Sequence, residues 1–440
     1  MVEATSGATA AVGEPGAGRD VSAYRAQLAI VGGLFFVFGF VTWLNGTLIP
    51  FLQLVCDLQT WQALLVTFAF YISYFVLALP SARILDRVGL KTGMTLGLAV
   101  MAAGCLVFVP AAHTRTFELF LAGLFVQGMG LALLQTAVNP YISIIGPIES
   151  AAQRISIMGL ANKVAGMLSP LLLGSLVLAG ASEIEARVKA FGATAGHAAE
   201  RTALLDELAS RVIAPYVGMA LVLALLALWM RRSALPDIDP AAMQRAEDAE
   251  AGPAEARASV WQYPHLLLGA LAIFFYVGAE VMAADAIALY GRQLGFSLDE
   301  TRFFPALALG GMLVGYVLSI VAIPRYISQQ AYLRLSAVLG LALTALTYLL
   351  SGRAAVASIA LLGIANAVMW PAIFPLAIRG LGRLTQQGSA LLIMGIAGGA
   401  VIPQVYGLLE TPLGFRGAFQ AAVLPCYLYI LYYATHGYRR

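Results

Sequence analysis

Three ionisable residues stand inside apolar runs long enough to cross a bilayer: Lys163, Glu280 and Asp285. An ionisable group deep in a span costs at least about 2.5 kcal/mol on insertion scales, so it is a functional candidate by default. At 1.5 Å of rise per residue, Glu280 lies roughly 20 Å into its run and Asp285 roughly 7 Å further, near the far interface. Five positions turn a helix through about 140°, so the two carboxylates share a face only where the helix unwinds. Glu280 faces the same way as Tyr276, one turn before it. Lys163 either neutralises a carboxylate or caps backbone carbonyls. A carboxylate in an apolar span must be protonated, metal-bound or paired with a cation, because an isolated buried charge is too costly. A group that alternates between such states links cation movement to a conformational change. Glu280 is the leading coupling residue on this reading, with Asp285 and Lys163 beside it. The ion is H⁺, or Na⁺ held at Glu280 or Asp285 with backbone and amide oxygens completing the shell.

Neutral polar residues extend the pattern. Gln135 and Asn139 lie four positions apart, as do Asn366 and Trp370, and Thr42 and Asn45 lie three apart with Trp43 beside them. These spacings place each pair on one helix face. A single amide in a span is more often an interhelical hydrogen bond of about 0.6 kcal/mol than a ligand contact. Several such stripes together suit a neutral sugar: amides and a carboxylate fork to vicinal hydroxyls, and aromatic faces meet C–H surfaces. No cluster of Arg or Lys lies in the spans to receive a phosphate, and a hydrophobic drug needs fewer amides. The expected substrate-binding set is Asn45, Gln135, Asn139, Asn162, Tyr276, Glu280, Asn366 and Trp370.

The elements that position these residues follow from composition. Of 440 residues, 60% are hydrophobic and 11% charged, and the formal net charge is +3. A soluble domain carries about a quarter charged residues, so a soluble enzyme, a disordered chain and a nucleic-acid binder are excluded. Cys56, Cys105 and Cys426 are too far apart for a disulfide framework or a metal knuckle. No phosphate-binding glycine loop and no nucleophile–base pair is present, so neither an ATP-driven pump nor an enzyme is expected, nor any cofactor. A span needs about 20 apolar residues. Twelve runs qualify: 26–50, 61–81, 92–112, 117–145, 155–180, 213–230, 264–290, 303–323, 331–351, 354–378, 387–409 and 417–436. With the first residue in the cytoplasm, sixteen Lys and Arg fall inside and nine outside, with Lys163 in a span. By the positive-inside rule both termini are cytoplasmic. The polar stretch 1–22 is too long for a signal peptide's basic start and no small-residue cleavage pattern follows, so the first run reads as a retained helix.

The longest internal polar stretch, 231–262, divides the runs six and six. Domains are expected at 1–24 (cytoplasmic tail), 25–230 (first six-helix bundle), 231–262 (cytoplasmic linker, with 242–258 flexible or briefly helical) and 263–440 (second bundle). The halves echo each other: Ile157-Met158-Gly159 with Ile393-Met394-Gly395, Asn139-Pro140 with Trp370-Pro371, and Phe35-Phe36 and Gly39 with Phe274-Phe275 and Gly278. Gly310-Gly311 and Gly398-Gly399 read as packing or bending positions. The 181–212 segment reads as a surface-lying amphipathic helix through Leu204, Leu205, Leu208 and Val212. Such a layout, an all-α membrane protein of twelve helices in two six-helix bundles, resembles the major facilitator fold, whose substrate site lies mid-membrane between the halves. The segment Ala82 to Lys91 resembles that superfamily's cytoplasmic gating motif, with Asp86, Arg87 and Gly89 at its core, although Ala82 and Leu90 depart from the usual glycine and basic residue.

The runs Leu133–Pro147, Phe275–Glu280, Asn366–Ala390 and Glu149–Gly166 resemble the fucose/glucose/galactose permease family of bacterial sugar–cation symporters. They are most similar to its glucose/galactose branch and that branch's N-acetylglucosamine-type relatives. The resemblance implies a secondary active transporter in the bacterial inner membrane, acting as a monomer among lipids and importing glucose or galactose by cation symport and alternating access. An N-acetylglucosamine or fucose symporter, or a drug or metabolite exporter of the same fold, are the alternatives. In the fucose permease an aspartate in span 1 and a glutamate in span 4 are tied to coupling and sugar binding. Here those positions hold Gly46 and Gln135, so that mechanism does not carry over. Glu280 offers a replacement carboxylate in the opposite half. Aligning the halves on Gly39 and Gly278 sets Asp285 opposite Gly46.

Overall fold

A computed structural model describes residues 21–144, 151–191, 197–233, 259–323, 325–381 and 384–439, apart from the side chains of 21–26, 86, 139–144, 151–156 and 386. The described backbone is helical. Hydrocarbon offers no partner for backbone N–H and C=O groups, so a spanning chain satisfies them within its own helices. Span 1 comprises Val21–Thr42 and Asn45–Val55; spans 2 to 6 comprise Leu65–Val88, Leu90–Thr114, Phe117–Ile144, Ala151–Val177 and Ile213–Arg232. Span 7 comprises Pro264–Ala284 and Ile287–Gln293; spans 8 and 9 are Phe304–Ala322 and Gln329–Leu349; span 10 comprises Gly352–Asn366 and Met369–Ile378. Helix then runs from Thr385 to Thr435 with a 3-10 turn at Gly395–Ala397. Among the described residues, eleven stretches are long and apolar enough to cross a membrane, and the last covers 53 residues. At 1.5 Å per residue that stretch is about 80 Å, more than twice the hydrocarbon thickness. It breaks at Gly414, whose φ of 68° and ψ of 161° no helix allows. The break yields spans 11 and 12.

Large apolar side chains face outward in stripes, among them Leu221, Leu225 and Trp229 on span 6 and Val314, Val317, Leu318 and Val321 on span 8. In water such stripes would aggregate; here they meet acyl chains. Inside, small residues let helices touch. A Cβ on Gly39 would lie 1.9 Å from the Asn162 carbonyl oxygen, and one on Gly398 would lie 1.7 Å from that of Phe274. These contacts are counterparts: span 1 meets span 5 in the first half as span 7 meets span 11 in the second. Gly311 and Gly399 are packing positions too, against the Ala360 carbonyl and the Tyr71 ring. The 181–212 segment folds as Ala181–Phe191 and Ala198–Ser210, with Leu204, Leu205, Leu208 and Val212 turned inward. The expected tail 1–24 and the linker lie largely outside the described residues.

Among the described residues, four spans are interrupted along their length, which apolar run length does not reveal. Trp43 and Leu44 form a turn in span 1, Asp285 and Ala286 one in span 7, and Ala367 and Val368 one in span 10; the 3-10 turn at Gly395–Ala397 interrupts span 11. In span 10 the cause is Pro371. It has no N–H for the Ala367 carbonyl, and its ring crowds that carbonyl. In span 7 the Ala286 N–H reaches back five residues to the Val281 carbonyl at 3.2 Å, a widened turn of the kind that collects at functional sites. Thr42 and Asn45, and Asn366 and Trp370, therefore flank turns and do not share one continuous helical face.

The glycine contacts predict that Gly39→Val and Gly398→Val each destabilise the protein by about 1–3 kcal/mol or more, the range for overpacking. Gly33, which has open space where a Cβ would sit, accepts Ala within about 0.5 kcal/mol. Thermal unfolding of the three variants in detergent checks this.

Candidate functional site

Lys163 of span 5 and Glu280 of span 7 meet between the halves. Lys163 Nζ lies 2.9 Å from Glu280 Oε1, with both side chains under 10% exposed. The Tyr276 hydroxyl donates to the same oxygen at 2.8 Å. The ammonium also sits 4.4 Å above the Trp43 ring centre. Gly166, one turn after Lys163, makes room for that indole: a Cβ there would lie 2.4 Å from Trp43 Cδ1. Trp43 is displaced from helical geometry by the span 1 turn, and this turn presents its ring to the cation. The carboxylate thus has a cation and a hydroxyl, and the cation has a carboxylate and an aromatic face. Such a pair is expensive to break, because removing one partner strands the other charge.

Asp285 differs. It is fully buried, and neither oxygen has a hydrogen-bond partner. The sequence placed it near the far interface, next to water; the neighbouring helices of the closed bundle cover it instead. The Tyr71 hydroxyl and the Gly46 amide lie close, but neither meets hydrogen-bond geometry. Other buried polar atoms in the spans around it are also unpaired: the Tyr71 hydroxyl, both amide atoms of Asn45, Thr47 Oγ1 and Trp43 Nε1. An unpaired buried polar group costs about 1–3 kcal/mol. Several of them where two spans break mark a place built to be satisfied by something else.

The other expected residues are distributed as follows. Gln135 Nε2 reaches the Tyr74 hydroxyl at 3.4 Å. Asn162 Nδ2 donates to the Phe35 carbonyl at 3.3 Å, across the span 1 to span 5 contact. Asn366 accepts from Tyr427 of span 12 at 2.9 Å and keeps its amide nitrogen free. Trp370 is half-buried and stacks on Phe374 with ring centres 5.6 Å apart. The side chains of Asn139 and Asp86 lie outside the described residues. Arg87 is exposed in the last turn of span 2. Gly89, at φ 79°, ends that helix and starts span 3, a backbone position that favours glycine. Lys91 Nζ donates to the Ser233 carbonyl at 2.7 Å, tying this loop to the end of span 6. Tyr71 and Tyr74 of span 2 were not anticipated; their signal was two hydroxyls three positions apart in the middle of an apolar run.

The halves are also latched at the end carrying the 181–212 segment. Arg292 pairs with Glu185. Asp299 accepts from the Gly180 and Ser182 amides at 3.1 and 3.4 Å, and its own amide donates to Ser182 Oγ at 3.0 Å.

This geometry can be set beside known proteins. Over 407 residues the chain is 35% identical to the glucose/galactose transporter of Brucella abortus, covering 92% of each chain. It is 26% identical to the L-fucose-proton symporter of Escherichia coli over 93% of each. A solved structure of the E. coli fucose:proton symporter superposes with a TM-score of 0.69 at 24% identity, covering 94% of this chain and 99% of that one, which is a likeness of fold. The model of the Major Facilitator Superfamily matches residues 31–404. With two helical halves meeting at a buried ion pair and this match across most of its length, the chain belongs to the major facilitator superfamily.

Proposed function

We propose that this protein is a secondary active transporter that brings a neutral hexose, glucose or galactose, into the cell with a proton by alternating access. The observation that carries the reading is the Lys163–Glu280 pair, which joins the halves at mid-membrane beside unsatisfied polar groups. A sugar hydroxyl donates to a carboxylate and accepts from an ammonium, so the substrate competes for both ends of the pair. Trp43 and Trp370 supply faces for its C–H surfaces, and Asn45, Gln135, Asn139, Asn162, Asn366 and Tyr276 supply donors and acceptors. Replacing a cross-half ion pair by two sugar contacts loosens the halves where they must rock. The likeness to a glucose/galactose transporter supports the hexose, and that to an L-fucose-proton symporter supports the proton.

With both termini in the cytoplasm, as the distribution of Lys and Arg favours, the end latched by Glu185–Arg292 and Asp299 is the outer one. This conformation is then closed to the outside, and the latch opens when the outward-facing state forms. The 2–3 loop with Asp86, Arg87 and Gly89 lies at the opposite end and acts as the inner gate.

Purified protein in liposomes tests the reading. Labelled glucose or galactose accumulates under an inward proton gradient and not under a sodium gradient of equal size; uptake of neither sugar under either gradient overturns it. Gln135→Ala and Asn366→Ala each weaken glucose binding five- to a hundredfold, corresponding to about 1–3 kcal/mol per unpaired group, as read by calorimetry. Lys163→Met alone destabilises the protein by about 3–5 kcal/mol, because it leaves Glu280 without its cation. The double variant Lys163→Met/Glu280→Gln recovers most of that loss in thermal unfolding, whereas additive losses would show that the pair does not act as a unit.

A further inference from the structure

Among the described residues, three side chains of the charged types are buried in the spans, and only two of them are matched. Lys163 is taken by Glu280, which also holds the Tyr276 hydroxyl. Asp285 is left over. It is 0% exposed, and both oxygens lack a hydrogen bond. The titratable and charged groups facing it are Glu280 on its own span, Lys163 on span 5 and Tyr71 on span 2; span 1 offers the Gly46 backbone. One of these repels an anion and another is already engaged. A bare carboxylate cannot persist in such a place, whereas a neutral acid can.

We propose that Asp285 is the site that carries the transported proton, while Glu280 stays paired with Lys163 and answers to the sugar. This inference rests on the reading of the protein as a proton–sugar symporter and divides that work between two carboxylates. The step moves a single proton: water on the outer side protonates the carboxylate, the halves rock, and the proton leaves to water on the inner side. No other bond forms or breaks. The span 7 turn at Asp285 and Ala286 places the acid where the halves pivot, facing the span 1 segment through Gly46, which lies 3.2 Å from the Ala284 carbonyl at its Cβ position. Tyr71 is a positioning residue: its otherwise unpaired hydroxyl lies beside the carboxyl group and orients it.

The test uses the full chain in liposomes. At one proton per sugar, a gradient of one pH unit supports about tenfold accumulation, since one pH unit and a tenfold ratio are both about 1.4 kcal/mol. Asp285→Asn should bring that ratio to about one and remove the pH dependence of exchange, while labelled sugar still exchanges across the membrane. Asp285→Glu, which keeps the acid, should restore accumulation. Accumulation by Asp285→Asn at the wild-type ratio would overturn the proposal. If the wild type itself moves no hexose, the symporter reading fails instead, so the two failures are distinguishable. A second readout needs no transport. Infrared spectra of the wild type should show the carbonyl band of a neutral carboxylic acid that Asp285→Asn lacks, and an undiminished band in that variant would equally overturn the assignment. Tyr71→Phe should shift the pH midpoint of exchange and leave sugar affinity at saturating proton concentration within twofold.

Discussion

Hydrocarbon does not solvate charge, and much of this structure is organised around that fact. Among the described residues, one cation and two carboxylates are buried inside the spans. One carboxylate faces the cation across the boundary between the halves, so the pair is both a solution to burial and a tie between two bodies that must move. The tie is strong while dry and weakens when a polar ligand or water enters, because attraction between charges falls as the local dielectric rises. A transporter needs such a contact: firm enough to define a state, yet open to competition from its substrate.

The breaks in the helices serve the same end. A continuous helix presents no unsatisfied backbone at mid-membrane, and side chains five positions apart point away from each other. Interrupting span 1 at Trp43 and Leu44 turns the indole toward Lys163, and interrupting span 7 at Asp285 and Ala286 sets that acid at the junction of the halves. Glycines permit the arrangement. Gly39 and Gly398 bring neighbouring backbones into contact, and Gly166 makes room for the indole. Packing is tight within each half, while the seam between the halves is polar and partly unsatisfied.

Much of this was legible in the sequence. Apolar run length yielded the spans, because backbone satisfaction in lipid leaves few alternatives. Lys163, Glu280 and Asp285 stood out because charge in a span is costly. That Lys163 pairs with Glu280, instead of capping carbonyls, was not legible, since the two lie 117 positions apart and nothing local relates them. The burial of Asp285 was misjudged from its depth alone: distance along a span measures proximity to water only when no neighbouring helix covers the residue. The helix breaks were visible in part, through Pro371, but the widened turn at Ala286 carries no proline or glycine to announce it. Tyr71 and Tyr74 were passed over because a tyrosine in an apolar run usually signals packing.

The central claim is that sugar and proton cross together through this seam, and simultaneous observation of both fluxes tests it most directly. Glucose is added to lightly buffered liposomes containing the protein, and external pH is followed alongside sugar entry. The account predicts external alkalinisation in step with glucose entry, at about one proton per sugar for a single carrying carboxylate. Glucose entering with no change in external pH would contradict it.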